Sequence, residues 1–278
     1  MNRRRFLTVA GTGAAVTALT AGGTASYARW VAPERVVFTR HRVRRFVEAP
    51  GATLRFAQLS DLHLREPGAM HEAIAAELAE AELDFLLVTG DAVDDSNALP
   101  ALADFLAMLP PVPKYAILGN WEHWGEVGRR ALARTYDRAD GRLLVNDSTV
   151  HRARGASVRI TGLDDFVAGE PDLVEALGPS RIQEEGHILL AHCPAQRDAL
   201  ELAGTSVDCI LSGHTHGGQI RLLGWSPALP RGSGGYVSGW YPEGPAPMYV
   251  SRGIGTSVIP ARLGAPPEVA LFEWPART

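Results

Sequence analysis

Five short polar clusters carry the residue types that hold cations: Asp61-Leu62-His63, Gly90-Asp91, Gly119-Asn120, His192 and Gly213-His214-Thr215-His216. Each follows an apolar run. At such a position a strand fixes the backbone and the next loop frees the side chain. Asp61 and His63 are two residues apart, as are His214 and His216; in extended chain such residues point the same way, so each pair can reach one ion. Asp91 ends the run Phe85-Leu86-Leu87-Val88, where a buried carboxylate is costly unless it meets positive charge. Asn120 adds a neutral oxygen, and His192 ends His187-Ile188-Leu189-Leu190-Ala191. Singly these are weak signals, since a lone histidine at a strand end is more often structural. Together, three acids or amides and four imidazoles would converge on one rim. Two divalent cations would resolve their mutual repulsion.

The elements that must position them alternate. Short apolar runs predict strands near 54–59, 84–89, 114–118, 157–161, 187–191 and 207–212. Amphipathic segments predict helices near 70–82, 98–109, 126–138, 172–177 and 195–203. Such alternation belongs to an α/β fold of layered sheets. The last sixty residues are rich in Gly and Pro, with β-like runs at Ile220–Leu223, Tyr236–Trp240, Met248–Ser251 and Glu268–Glu273. They read as the second half of a β-sandwich core. No repeat or linker interrupts the chain, so residues 29–278 are expected to form a single domain after an N-terminal segment, 1–28. Residues 35–47 predict an arginine-studded edge strand, with a patch facing anionic lipid as the other reading.

The chain has 278 residues, 46% apolar and 21% charged, which suits a full core. Its two cysteines, Cys193 and Cys209, lack metal or redox spacing and read as buried thiols. The net charge of -4 is uneven. Residues 1–45 hold nine of the 27 basic groups and one of the 31 acids, which leaves 18 against 30, a net of -12. So acidic a body excludes extended nucleic acid as a partner.

The opening Arg3-Arg4-Arg5-Phe6-Leu7, followed by an uncharged stretch through Ala28, resembles a twin-arginine (Tat) export signal. The expectations are contact with the Tat export machinery and an extracytoplasmic location. Cleavage near Thr24–Ala28 and retention as a membrane anchor both remain open. The basic N-terminal region is a candidate for membrane-surface contact.

The five clusters resemble the calcineurin-like metallophosphoesterase superfamily, whose pattern runs DxH, GDxx(D), GNH(D/E), a lone His and GHxH. The likeness extends from about Leu54 to Trp274. It implies a four-layer α/β/β/α sandwich and a two-metal phosphoester hydrolase. By matching motif, one ion would take Asp61, His63, Asp91 and His216. The other would take Asp91, Asn120, His192 and His214, with Asp91 bridging. A hydroxide held between ions roughly 3.5–4 Å apart would attack phosphorus in line. The mixed nitrogen and oxygen donors suit Mn, Fe or Zn. Asp94 matches the second Asp of the GDxx(D) motif and would orient a ligand; capping the following helix is its other reading.

Two more segments, Gly213–Ile220 and Tyr249–Thr256, resemble an exported phosphodiesterase branch of the YkuE/YaeI type, close to enzymes of lipid A precursors such as UDP-diacylglucosamine. The implied substrate is a lipid or cell-envelope phosphate compound, or a small phosphate ester, and the implied activity is that of a phosphodiesterase or pyrophosphatase. Trp121 departs from the pattern, standing where the family has a histidine that acts as general acid. Either His123 replaces it, or the leaving group needs no acid, or the protein is a catalytically weak or inactive binding protein.

Overall fold

Strand β3 (Phe85–Thr89) is buried at every position. The computed structural model, which describes residues 22–43, 53–178, 186–200 and 206–275, shows why. Phe85 and Leu87 face a second sheet, whereas Leu86 and Val88 face helices. A strand covered on both sides has no polar face, so its sequence reads as one apolar run.

Among the described residues the strands form two six-stranded sheets. In chain order they are β1 (Val37–Arg42), β2 (Thr53–Leu59), β3, β4 (Lys114–Ile117), β5 (Gly141–Leu143), β6 (Asp147–Ala153), β7 (Ala156–Gly162), β8 (Gly186–Leu190), β9 (Cys209–Ser212), β10 (Gly239–Tyr241), β11 (Met248–Val250) and β12 (Glu268–Pro275). The first sheet runs β1-β12-β2-β3-β4-β5 and the second β10-β11-β9-β8-β7-β6. In the first, β2, β3 and β4 are mutually parallel, with Leu59 opposite Val88 and Val88 opposite Ala116. In the second, β7, β8 and β9 are parallel, with Leu189 opposite Ile210.

The helices Ala69–Glu80, Leu99–Met108 and Arg129–Asp137 cover the outer face of the first sheet through Ile74, Leu78, Leu102, Phe105, Leu132 and Tyr136. Leu99–Met108 starts with Pro100 in its first turn and stops before Pro110-Pro111, where the missing N–H groups cannot continue it. Between the sheets pack Phe56, Phe85 and Phe272 with Ile160, Ile188 and Leu211. The outer face of the second sheet buries Leu189, Ile210 and Val250 against Ala176 of the short helix Leu173–Leu177. These are the four expected layers, the helical cover on the second sheet being slight.

The expected strands and helices of the first 190 residues lie where the periodicity put them; the helix expected near 195–203 is only Gln196–Ala199, with 201–203 outside the described residues, and the run Tyr236–Trp240 is a strand only from Gly239. Ile220–Leu223 is not a strand; it makes isolated bridges only, Ile220 to Leu263 and Leu222 to Trp225. Its backbone is diverted into a turn by left-handed Leu223 (φ 51°) and Gly224 (φ 86°). The last sixty residues do not stay in one sheet. β10 and β11 lie at one edge of the second, while β12 crosses to the first, where it pairs between β1 and β2. Residues 35–47 do supply an edge strand, β1, as far as Arg42. A short helix, Asn120–Trp124, and the hairpin β6–β7 were not expected. The hairpin turns on Arg154 (φ 52°) and Gly155 (φ 79°), a geometry glycine adopts freely. Residues 1–21, with most of the expected export signal, lie outside the described residues, as do Arg44 and Arg45. Residues 22–30, including the candidate cleavage segment, are helical. No helix of the described residues is long and apolar enough to cross a membrane.

Phe56 is the keystone between the sheets, with its ring stacked on Phe85 at 4.9 Å and Phe272 at 5.0 Å. Phe56→Ala is expected to lower the unfolding free energy by roughly 3–5 kcal/mol, measured by denaturant titration.

Candidate metal centre

The parallel strands of both sheets end at the same edge of the sandwich, and the loops there carry all seven side chains. Asp61 and His63 follow β2, Asp91 follows β3, Asn120 follows β4, His192 follows β8, and His214 and His216 follow β9. All seven are buried. Two groups have ligand atoms within 4.8 Å of one another: Asp61, His63 and His216, and Asp91, His192 and His214. Asn120 joins the second, its Oδ1 lying 3.2 Å from His192 Nε2.

Asp91 links the groups. Its Oδ1 accepts the Trp121 N–H at 2.8 Å. Its Oδ2 lies 3.1 Å from His192 Nε2 and 3.8 Å from His63 Nε2. Asp61 accepts the His214 N–H at 2.8 Å and lies 3.6 Å from His216 Nε2.

The outer nitrogens of three histidines are taken. His63 Nδ1 faces Asp94 Oδ1 at 2.6 Å, His192 Nδ1 faces the Thr89 carbonyl at 2.7 Å, and His214 Nε2 faces the Arg231 carbonyl at 2.7 Å. Each contact needs an N–H on that nitrogen, so in a neutral ring the other nitrogen holds a lone pair. The inward donors therefore confront one another. His192 Nε2 meets oxygens of Asp91 and Asn120, and His63 Nε2 lies 3.1 Å from His216 Nε2, which carries the N–H of a neutral ring because His216 Nδ1 accepts from the Arg262 guanidinium at 3.3 Å. Only protons or cations can occupy such a space without repulsion. Carboxylate and amide oxygens with imidazole nitrogens make a donor set for a transition metal, so the residues fit the cations their types imply.

Protonation follows the same logic. Burial opposes charge on His192, but the Asp91 and Asp61 carboxylates outweigh it and hold its pKa well above the ordinary value. For His63 burial is likewise outweighed, by Asp94 and Asp91. Asp91 stays below the usual carboxylate range, since His192 and His63 overcome its burial. Burial, with His63 and Arg262 beside it, pushes His216 well down; burial and His192 lower His214. Ligands that carry protons release them when a metal binds.

The backbone here is unusual. Asp61 (φ 51°), His63 (43°), Asp91 (51°), His214 (69°) and His216 (51°) all lie in the left-handed region. That conformation costs a non-glycine residue about 1 kcal/mol or more. Five such residues in one cluster point to a site held for function. Gly90 (φ +85°) shares the constraint, as a Cβ there would come within 2.6 Å of His192 Nδ1 and 2.8 Å of the Gly119 nitrogen.

Two residues outside the predicted set hold the loops. Glu122 is fully buried and accepts four backbone N–H groups: Asp91 at 3.0 Å, Ala92 at 2.6 Å, Val93 at 3.3 Å and Gly119 at 2.8 Å. It thereby ties the Asp91 loop to the Asn120 loop. Burial, with Asp91 nearby, raises its carboxyl to about 7. The spacing Gly119-x-x-Glu122 was its signal, an acid three residues past a helix cap. Arg262 is also fully buried, its pKa lowered to about 10 by burial. It donates to the carbonyls of Arg252, Gly253, Gly255 and Ala265 and packs against His216. No local pattern marked it, because its partners are main-chain atoms.

Asp94 orients His63, and the helix-capping alternative falls to Asp95, which accepts the Asn97 N–H. His123 does not turn towards the cluster; its Nε2 pairs with Asp164 at 2.7 Å. Trp121 sits edge-on to His63, with ring centroids 5.7 Å apart. Arg252 pairs with Glu268 at 3.1 Å. Cys193 and Cys209 are free and buried. The cluster opens into a cleft of about 550 Å³ lined by Asp91, Asn120, Trp121, Trp124, His214 and His216, then by Val167, Ile220, Leu229, Val258 and Ile259.

Residues 54–218 match the calcineurin-like phosphoesterase family. The chain is 32% identical to the uncharacterized metallophosphoesterase YkuE of Bacillus subtilis, over 98% of this chain and 97% of that one. It is 30% identical to the phosphodiesterase YaeI of Escherichia coli, over 98% and 99%. With the uncharacterized metallophosphoesterase YkoQ of B. subtilis it shares 28% over 79% and 83%. The chain belongs to the calcineurin-like phosphoesterase family and is a metal-dependent hydrolase.

Glu122→Gln leaves at least one of the four N–H groups unpaired, at about 1–3 kcal/mol each. The variant is expected to unfold at lower denaturant and to lose metal affinity, both partly restored by Glu122→Asp. Denaturation and metal titration on the three proteins check this.

Proposed function

We propose that this chain hydrolyses a phosphate diester or anhydride of a lipid or cell-envelope compound, with two transition-metal cations held at the strand ends. One observation carries the reading: the single free oxygen of Asp91 faces a donor group on each side, His63 and His192. Asp61, His63, His216 and Asp91 would hold one cation, and Asp91, Asn120, His192 and His214 the other. When bound, such cations lower the pKa of water to give a nucleophile and neutralise charge on the phosphoryl oxygens.

The chain's own groups set the rest. Trp121 fixes Asp91 through its backbone N–H and turns an indole towards the cleft. Indole cannot protonate a departing alkoxide, and His123 is occupied by Asp164. A positioned acid is typically worth about 10²–10⁴-fold. The substrates that suit the site are therefore those with a stable leaving group, such as a nucleotide phosphate. Apolar cleft walls and the phosphodiesterase relative support a diester with an apolar portion. The basic start and the uncharged run to Ala28 support an extracytoplasmic location reached by twin-arginine export. Trp121 also favours a second reading, a binding protein of this family with little turnover.

Asp91→Asn is expected to lower Mn²⁺-dependent hydrolysis of bis-p-nitrophenyl phosphate by about 10²-fold or more. Equal background rates in wild type and variant would favour the binding protein. Trp121→His restores a proton donor, so hydrolysis of alkyl phosphates is expected to rise roughly tenfold, with aryl esters little changed. Equal gains on both would show that the missing acid is not what limits the enzyme.

A further inference from the structure

The outer rim of the cleft exposes large apolar side chains on two turns and a helix end. Leu222, Leu223 and Trp225 stand on a tight turn closed by reciprocal backbone hydrogen bonds between Leu222 and Trp225, at 2.9 and 3.0 Å. Leu223 is fully exposed and Trp225 is 66% exposed. The facing turn presents Val258, 87% exposed, and Ile259. Leu223 and Val258 are held outward by left-handed backbone, with φ of 51° and 58°. That conformation is costly, above all for a β-branched residue, and no intramolecular packing offsets it at such exposure.

The turns are stitched together. The Gln219 amide donates to the carbonyls of Ser257 and Ile259, and Arg221 N–H donates to the Leu263 carbonyl at 2.7 Å. The helix at 22–30 joins the same surface, since Arg262 N–H donates to the Ala28 carbonyl at 2.8 Å. That helix ends in exposed Trp30, with the Arg29 guanidinium 4.1 Å over its ring. Across the cleft stands exposed Trp124.

A soluble surface that gathers leucines, tryptophans and a valine on protruding turns is built for an apolar partner. Charge selects which one. Of the four arginines in residues 213–267, Arg262 is fully buried and Arg252 pairs with Glu268, which leaves Arg221 and Arg231 against one acid, Glu243, in a body that is otherwise strongly acidic. Arg231 is exposed at the rim and Arg221 partly so. Tryptophan and arginine above apolar tips match the interface of an anionic bilayer. The chain that leads into the helix agrees: from Phe6 to Ala28 it has no charged residue. A membrane-associated N-terminal segment would bring this rim to the same surface.

We propose that the rim formed by Leu222, Leu223, Trp225, Val258, Ile259 and Trp30 docks on an anionic phospholipid bilayer and so presents the cleft to the lipid surface. The proposal rests on the phosphoesterase reading for its purpose, not for its geometry. The full chain is labelled with an environment-sensitive fluorophore at Leu223→Cys or, as a control, at exposed Val174→Cys on the helix Leu173–Leu177; Cys193 and Cys209 are buried and do not compete. Vesicles of phosphatidylcholine, with and without phosphatidylglycerol, are then added. Expected are a blue shift and protection from an aqueous quencher at position 223 but not at 174. With the anionic lipid, half-maximal response should need roughly tenfold less lipid. Attachment through the N-terminal segment alone would leave both labels in water and overturn the proposal. So would a response at both positions, or a shift at 223 that grows with protein concentration without vesicles, which would assign the rim to a second copy. Turnover of bis-p-nitrophenyl phosphate with Mn²⁺ is measured on the same samples. Docking without turnover would sink the phosphoesterase reading alone, and turnover without docking this proposal alone.

Discussion

Lone pairs cannot face one another in a buried space without something positive between them. That constraint governs the strand-end edge of this protein. Two buried carboxylates, an amide oxygen and four imidazoles point inward within a few ångströms. Three of the imidazoles have their outer nitrogens committed to an oxygen acceptor. In a metal-free protein, protons on His216 Nε2, His63 and His192 relieve the crowding. Divalent cations would relieve it more fully, and five of the seven positions have left-handed backbone.

Much of the surrounding structure serves that arrangement. Two sets of parallel strands deliver their loops to one edge, and the sheets are joined through Phe56, Phe85 and Phe272. Glu122 and Arg262 then fix the loops, one by collecting N–H groups and the other by collecting carbonyls. Both are ionisable groups buried at a cost, tolerable because nearly every polar atom finds a main-chain partner.

The gathering of these seven side chains at one edge was legible because polar residues that end apolar strands, such as Asp91 and His192, stand where the loops converge. The core strands were legible because β3, β8 and β9 are covered on both faces. What was hidden depends on main-chain contacts distant in sequence. Arg262 looks like any arginine until the turn at 252–255 folds over it. Ile220–Leu223 alternates like a strand, yet left-handed Leu223 and Gly224 bend it into a turn. Trp240 and Trp225 both lie in the Gly- and Pro-rich stretch after His216. The first is partly buried, packed against the core beside His41, Tyr249 and Phe272, and the second stands in solvent. Local pattern cannot separate them, because burial is decided by the partner strand.

Trp121 departs from the pattern the sequence resembles. Its backbone N–H holds Asp91 and its indole cannot donate a proton, so in the proposed hydrolysis the site would rely on charge neutralisation and on the leaving group. The most direct test of the central claim is anomalous diffraction from crystals of the full chain loaded with Mn²⁺. Two peaks are expected, with Asp91 a ligand to both, Asp61, His63 and His216 on one side, and Asn120, His192 and His214 on the other. A single peak, or none at saturating metal, would contradict the account.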